Sequence, residues 1–429
     1  MIDVGEWKNV AARGHRRDAE GTLVVGGVRA DVLAKAHGTP LLVLDRAVLD
    51  ETVATFTSAA KPSRIEVAYA GKALLFTGLA RYFAGTQLAL DVCSLGELHT
   101  AERAGFPAER MHLHGCGKTD DELLAALDGR VGALVVDNVF ELERLVAMRG
   151  ARECAVVLRV NAGIEAHTHD YVRTGGENTK FGLGETEFAR ALEILHEAPA
   201  LRLLGVHSHI GSQIFDAAPL LENVDATFGF VSRAVRADLP PALVIFGGGF
   251  GVDERGGAGL HLATLFGDMR ARADAASRAL GIGPLRLGVE PGRSMIAQAG
   301  TSLYRVVATK RFGKRRFVVV DGGMADNPRP ALYGAFHQPL VACSSAREAA
   351  SEATVCGRSC ENDEMVETHL PADLACGDLL ALSTTGAYTF SMASNYNRFA
   401  RPAVVWAANG EHSIAIRRES IDDVVRYDA

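Results

Sequence analysis

The sequence predicts an α/β protein: a (β/α)8 TIM barrel with a second, mostly β domain formed by the C-terminal part and the N-terminal segment. Three observations carry that expectation. Eight short apolar runs of strand length recur between residues 65 and 289. Helix-like stretches separate most of them, with apolar side chains every three or four residues. After residue 303 the alternation stops, and candidate strands follow one another with little helix between them. Near-continuous apolar strands are buried on both faces, the mark of a parallel sheet covered by helices.

The runs are IEVAYA (65–70), QLALDV (87–92), MHLH (111–114), ALVV (133–136), AVVLRV (155–160), LLGVH (203–207), LVIF (243–246) and LRLGV (285–289). SLGELHTAERAG and NVFELERLVAMRG are typical of the helices between them. Eight such units within about 240 residues suit a closed barrel, with an open doubly wound sheet as the alternative. Further strands are expected at 303–309, 316–320, 379–384, 402–407 and 411–416, while 342–353 reads as an exposed connection. Segments 22–33 and 41–45 precede the barrel rhythm and are expected to pair with the C-terminal sheet, since chain ends often meet. The expected division is 1–33 as a segment joining the β domain, 34–302 as barrel and 303–429 as β domain.

A chain of 429 residues is long for a single core. With 48% hydrophobic and 23% charged residues it reads as an ordinary globular protein, and a formal charge of −7 argues against a broad nucleic-acid surface. Seven widely spaced cysteines without a CxxC favour reduced thiols in a cytoplasmic protein. Cys356 and Cys360 lack a second ligand pair nearby, so no metal is expected. The start, MIDVGEWKNV, has no apolar core and is not a signal peptide. No run approaches the roughly 20 apolar residues of a membrane span.

Barrel enzymes carry their chemistry at the C-terminal ends of the strands. Those ends hold Lys72, Asp91, His114, Asp137, Arg159 with Asn161, His207 with His209, Gly247-Gly248-Gly249, and Glu290 with Arg293. Each alone has an ordinary reading: a solvated lysine, a hydrogen-bonded core histidine, a flexible glycine loop, a surface ion pair. Gathered on one rim they form a candidate site. GGGFG (247–251) lets backbone N–H groups approach an anion, and Ser212 can add a hydroxyl. A lysine is an amine nucleophile able to form an imine with a carbonyl. Glu290 can keep a ring nitrogen protonated, and His209 can cover one ring face. These are the parts that pyridoxal 5'-phosphate requires.

At YAGKA (69–73), VVDNVFELERL (135–145), NAGIEAHTHDYVRTGGENTKFGLG (161–184), GVHSHIGSQ (205–213) and GGGFG (247–251) the sequence resembles a known family. The resemblance continues through EPGRSMIAQAG (290–300), VDGGMADNPRPALYGAFH (320–337), CENDEM (360–365) and GAYTFSMASNYNRFARP (386–402). The family is the fold-type III pyridoxal-phosphate decarboxylases, which act on ornithine, diaminopimelate and arginine, and the motifs are closest to its meso-diaminopimelate branch. The resemblance implies that Lys72 bears the cofactor, His209 stacks on its ring and Glu290 meets its nitrogen. It implies cofactor contacts from Asp91, Ser212, Gly249, Gly292, Arg293 and Tyr388. Arg293, Arg329 and Tyr333 resemble the residues that hold the substrate's distal carboxylate, with Tyr388 beside them. Cys360 and Glu361 resemble a pair that enters the site from the other subunit. Glu361 then meets the distal amino group, and Cys360 lies near the protonation step.

The implied protein is a cytoplasmic homodimer with composite sites. It converts meso-2,6-diaminopimelate to L-lysine and carbon dioxide, the last step of that route to lysine. Two departures stand out: HGCGK (114–118) where the family often has HGNNK, and Arg358-Ser359 where it often has proline and an apolar residue. The second keeps related substrates open, among them D-ornithine, D-lysine, L-ornithine, arginine and carrier-bound amino acids. A racemase would want arginine at the ring nitrogen, against Glu290. A non-catalytic pyridoxal-phosphate homeostasis protein would need only a small barrel.

Overall fold

In the computed structural model, eight parallel strands close into a barrel, each beside its predecessor in the chain. They are β1 (Ile65–Ala70), β2 (Ala89–Val92), β3 (Met111–Leu113), β4 (Ala133–Val136), β5 (Cys154–Val160), β6 (Leu201–Ser208), β7 (Leu243–Ile245) and β8 (Arg286–Val289). β8 returns to β1 with Leu287 opposite Ile65 and Val289 opposite Val67, which closes the ring. All eight coincide with the apolar runs of the sequence, and the open-sheet alternative falls. The structure describes residues 14–164, 179–254, 259–343 and 349–429, so 165–178 of the motif segment 161–184 lie outside the described residues.

Local chemistry starts the helices where the sequence placed them. Ser94 caps Leu95–Arg103 by accepting from Glu97 N, and Asn138 caps Val139–Met148 by accepting from Glu141 N. Thr119 and Glu122 form a reciprocal capping box before Asp120–Leu127. Inside the barrel, Ala133, Val135 and Val157 pack with Leu243 and Ile245, joining strands that are not neighbours.

The chain divides into two compact units. The barrel unit is Ala54–Gly251 with Gly259–Ser294, and the other takes Met1–Val53, Val252–Ala258 and Met295–Ala429. Residues 34–53 therefore go with the second unit and not with the barrel. That unit holds a nine-stranded sheet organised by the long strand Gly300–Phe312. Its first half pairs with Leu41–Asp45 and Leu379–Ser383, and its second half with Arg315–Val320. The N-terminal expectation thus holds for 41–45. Leu23–Val25 and Val28–Arg29 instead form a small three-stranded sheet with Arg16–Arg17. Leu23, Val25 and Val28 still share a core with Leu303, Leu340 and Val405.

The expected exposed connection at 342–353 is corrected in part. Ala342 is fully buried and Ala350–Cys356 is a strand, paired with Arg315–Val320 and with Glu364–Pro371. Residues 344–348 lie outside the described residues. Among the described residues no helix is long and apolar enough to cross a membrane.

One buried ion pair fixes the loop that follows β3. Lys118 Nζ, 1% exposed, donates to Gly115 O (2.8 Å), Val135 O (2.6 Å) and Glu141 Oε1 (2.7 Å). All three ammonium protons are used, so the charge is matched rather than merely enclosed. Lys118→Ala leaves the Glu141 carboxylate buried without its cation, and is expected to destabilise the barrel by about 3–5 kcal/mol in denaturant titration. Adding Glu141→Gln should recover part of that loss.

Candidate active site

Backbone pairing that runs past the strand ends sets the barrel rim. Ala70 N donates to Pro291 O (3.2 Å), Glu290 N to Gly247 O (2.7 Å) and Phe246 N to Gly288 O (3.0 Å). The ends of β1, β7 and β8 are thereby held side by side. Lys72 follows β1 in the single 3-10 turn Gly71–Ala73, its side chain exposed but close enough for its charge to act on His209 and Cys93. The glycine turn after β7 is enforced by close approach. A Cβ on Gly248 would lie 2.2 Å from Glu290 O, and one on Gly249, at φ +93°, would lie 2.4 Å from Gly211 O.

Glu290 sits at the centre of a buried polar chain. His207 Nε2 donates to Glu290 Oε2 at 2.9 Å, and His114 Nε2 lies 3.3 Å from Oε1. The same His114 nitrogen is 3.6 Å from Asp91 Oδ1, which also meets His112 Nδ1 at 3.2 Å. Side chains from β2, the β3 end, β6 and the β8 end are thus joined across the barrel mouth. Asp91, His112, His114 and Glu290 bring one donor atom each within 4.8 Å of one another. The ion pairs just described account for that spacing.

The charges in this chain follow from burial and neighbours. Burial works against Glu290 ionising, but His207 and His114 outweigh it and hold the carboxyl well below its ordinary range. Burial also opposes a charged His114, yet Glu290 and Asp91 prevail and raise it to about 9. His207 goes the other way, lowered chiefly by burial. Glu290 Oε1 and Asp91 Oδ2 are buried and accept no hydrogen bond from the described residues.

His209 accepts from Gly248 N at Nδ1 (3.2 Å), which leaves its own proton on Nε2. Burial, then the charges of Lys72 and Arg159, depress its pKa well below the usual value. Arg293 points Nε and Nη2 at Ser212 Oγ, at 3.3 and 3.4 Å, and Gly292 is buried in the turn between Glu290 and Arg293. Asp137 pairs with Arg159 at 3.1 Å, and the guanidinium lies over Phe181.

The other unit gathers the remaining candidates. Arg329, 5% exposed, opens the short helix Arg329–Tyr333 and lies over the rings of Tyr333 and Tyr388 at 5.3 and 5.7 Å. Tyr388 holds φ +59°, a conformation costly for a side chain with a Cβ. Cys360 and Glu361 sit on an exposed turn, where Cys360 N donates to Asn397 Oδ1 (3.1 Å) and Glu361 accepts from Tyr396 OH. Motif reading missed His112, Lys118 with Glu141, and Asp363. The first lies inside a strand, and the others act through partners distant in sequence.

The rim suits pyridoxal phosphate on its own geometry. It offers an amine at a strand end, a glycine turn without side chains, and a carboxylate kept ionised by two imidazoles. This defines a pyridoxal-phosphate-dependent lyase site on a parallel barrel, and residues 47–297 match the model of the pyridoxal-dependent decarboxylase pyridoxal-binding domain. A diaminopimelate decarboxylase of Bacillus subtilis (strain 168) is 40% identical, over 96% of this chain and 96% of that one. One of Actinosynnema pretiosum subsp. auranticum is 41% identical, over 95% and 92%. The crystal structure of diaminopimelate decarboxylase from M. jannaschii in co-complex with L-lysine superposes with a TM-score of 0.90 at 28% identity, over 97% of each chain. The chain belongs to the diaminopimelate decarboxylase family of the pyridoxal-dependent decarboxylases.

The raised pKa of His114 has a consequence for stability. Its folded value lies above the ordinary 6.5, so its contribution is complete below pH 6.5 and is lost as pH rises through about 9. Thermal melts of the cofactor-free protein should therefore show stability falling between those two pH values. His114→Gln should flatten that slope.

Proposed function

We propose that this enzyme decarboxylates meso-2,6-diaminopimelate to L-lysine and carbon dioxide in the cytoplasm, as a homodimer with composite sites. The observation that carries the proposal is the ionised Glu290, held by a hydrogen bond from His207 to Oε2 and by the His114 imidazole 3.3 Å from Oε1. A carboxylate at that place favours full uptake of the electrons from a breaking C–C bond, whereas a racemase would weaken that uptake.

Pyridoxal phosphate, when bound, supplies the electron sink for the carbon–carbon bond that breaks. Lys72 would hold it covalently. Ser212, Arg293 and the backbone of Gly249 and Gly292 would bind its phosphate, with Tyr388 as a further contact that the family resemblance implies. Glu290 would hold a proton at the ring nitrogen, with Asp91 and His114 keeping Glu290 in place. His209 would cover one ring face. Because the carboxylate and its imidazoles are already oriented, little reorganisation is needed when charge develops.

Selection of the substrate falls to its far end. Arg293, Arg329 and Tyr333 bind the distal carboxylate, since guanidinium groups grip both oxygens of a carboxylate. Glu361 takes the distal ammonium from the partner subunit, and Cys360 Sγ delivers the proton to the carbon that carbon dioxide leaves. The L-lysine bound to the M. jannaschii relative matches the proposed product.

A substrate without the distal carboxylate would leave buried donors unpaired. On that ground kcat/KM for meso-diaminopimelate should exceed that for lysine or ornithine of either hand by at least about 100-fold. The test is carbon dioxide release and amine identification across that panel, with Lys72→Ala as the inactive control. Faster turnover of any competitor would overturn the substrate assignment.

A further inference from the structure

The turn that carries Cys360 and Glu361 connects the strands Ala350–Cys356 and Glu364–Pro371. Both side chains are exposed, yet the turn is tightly tied at its base. The tie is Asp363, 6% exposed and held at φ +45°. Its Oδ1 accepts from Met324 N (2.7 Å), and its Oδ2 accepts from Ser359 Oγ (2.8 Å) and Ser359 N (3.3 Å). Its carbonyl accepts from Gly357 N (2.8 Å), and Arg358 N donates to Gly322 O (3.1 Å).

Two glycines make room for this carboxylate. A Cβ on Gly323 or Gly357 would lie 2.2 or 2.1 Å from Asp363 Oδ2. The loop it grips, 322–327, runs directly into Arg329. That loop is braced in turn: Gly323 N donates to Asp326 Oδ1 (2.8 Å), Tyr304 OH to Asp326 Oδ2 (2.6 Å), and Ser394 N to Ala325 O (2.8 Å). One junction therefore sets the Cys360–Glu361 turn, the Arg329 helix and the segment after Tyr388.

We propose that Asp363 is a positioning residue that locks the Cys360–Glu361 turn to the Arg329 loop, so that the pair this chain lends to the partner's site is held against the loop that carries Arg329 in its own. This rests on the roles given above to Glu361, Cys360 and Arg329. The residues that depart from the family pattern belong to the same device. Ser359 supplies two donors to Asp363, and Arg358 stacks over Phe399 at 4.2 Å. An apolar side chain at 359 would offer only its backbone N–H, so in this chain the clamp gains a hydroxyl where the departure occurs.

The test uses the full-length holoenzyme with Asp363→Ala, Asp363→Asn and Ser359→Ala. Hydrogen exchange of peptides covering 322–327 and 357–363 reads the clamp itself, and the KM and kcat for meso-diaminopimelate read its consequence. Asp363→Ala should speed exchange in both peptides and raise KM about tenfold, the effect expected when one charged hydrogen-bonding group is lost. The bound cofactor's visible absorbance should stay that of wild type, which a general loss of structure would not allow. Asp363→Asn, which keeps one acceptor oxygen, should recover part of the KM. Ser359→Ala should act in the same direction by about threefold, and it decides the matter should Asp363→Ala fail to fold. Unchanged exchange and unchanged KM in Asp363→Asn and Ser359→Ala would overturn the proposal. Faster exchange with unchanged KM would uphold the clamp and overturn the role of the turn in reading substrate.

Discussion

The structure turns on a carboxylate that must stay charged where water is scarce. Glu290 follows the last barrel strand, 8% exposed, and would by burial alone prefer to be neutral. Two imidazoles reverse that preference, one from β6 and one from beyond β3. Neither is near Glu290 in sequence. Only ring closure brings them together, so the charge state of the site is a property of the closed barrel and not of any local segment. The same closure puts Pro291 O, one residue after Glu290, against Ala70 N, two residues before Lys72.

The candidate groups of the two units are held in different ways. The barrel unit supplies groups whose positions are set by strand ends and backbone pairing, where rigidity is greatest. The second unit supplies Arg329, Tyr388, Cys360 and Glu361 from loops and short helices. Loops can vary the recognised side chain without disturbing the sheet, but they need fastening. Asp363 and Asp326, each accepting from loop N–H groups, are the fasteners on this side. Burial raises the Asp326 carboxyl to about 7, against the Tyr304 hydroxyl, which donates to it and works the other way.

The barrel was legible because its strands are buried on both faces and so read as unbroken apolar runs. The strands at 350–356 and 364–371 were not. Their burial alternates or fades toward one end, and AREAASEA (346–353), which runs into the first, resembles an exposed tether more than a strand. Among site residues, strand-end position pointed to Lys72, Asp91, His114, His207, His209 and Glu290, and the glycine turn announced itself. Arg329, Tyr333, Tyr388, Cys360 and Glu361 could be named only through family resemblance, since no spacing rule joins them. Lys118 and Asp363 lie in the quoted stretches HGCGK and CENDEM, but nothing there gave them a role, because their importance lies in what they touch.

The account stands or falls on the proton shared between Glu290 and the cofactor ring. Loading the protein with pyridoxal phosphate labelled with 15N in the ring, and recording the nitrogen chemical shift at neutral pH, observes that proton directly. A protonated pyridine in the wild type, lost in Glu290→Gln, is the predicted result. A neutral pyridine in the wild type would contradict the account.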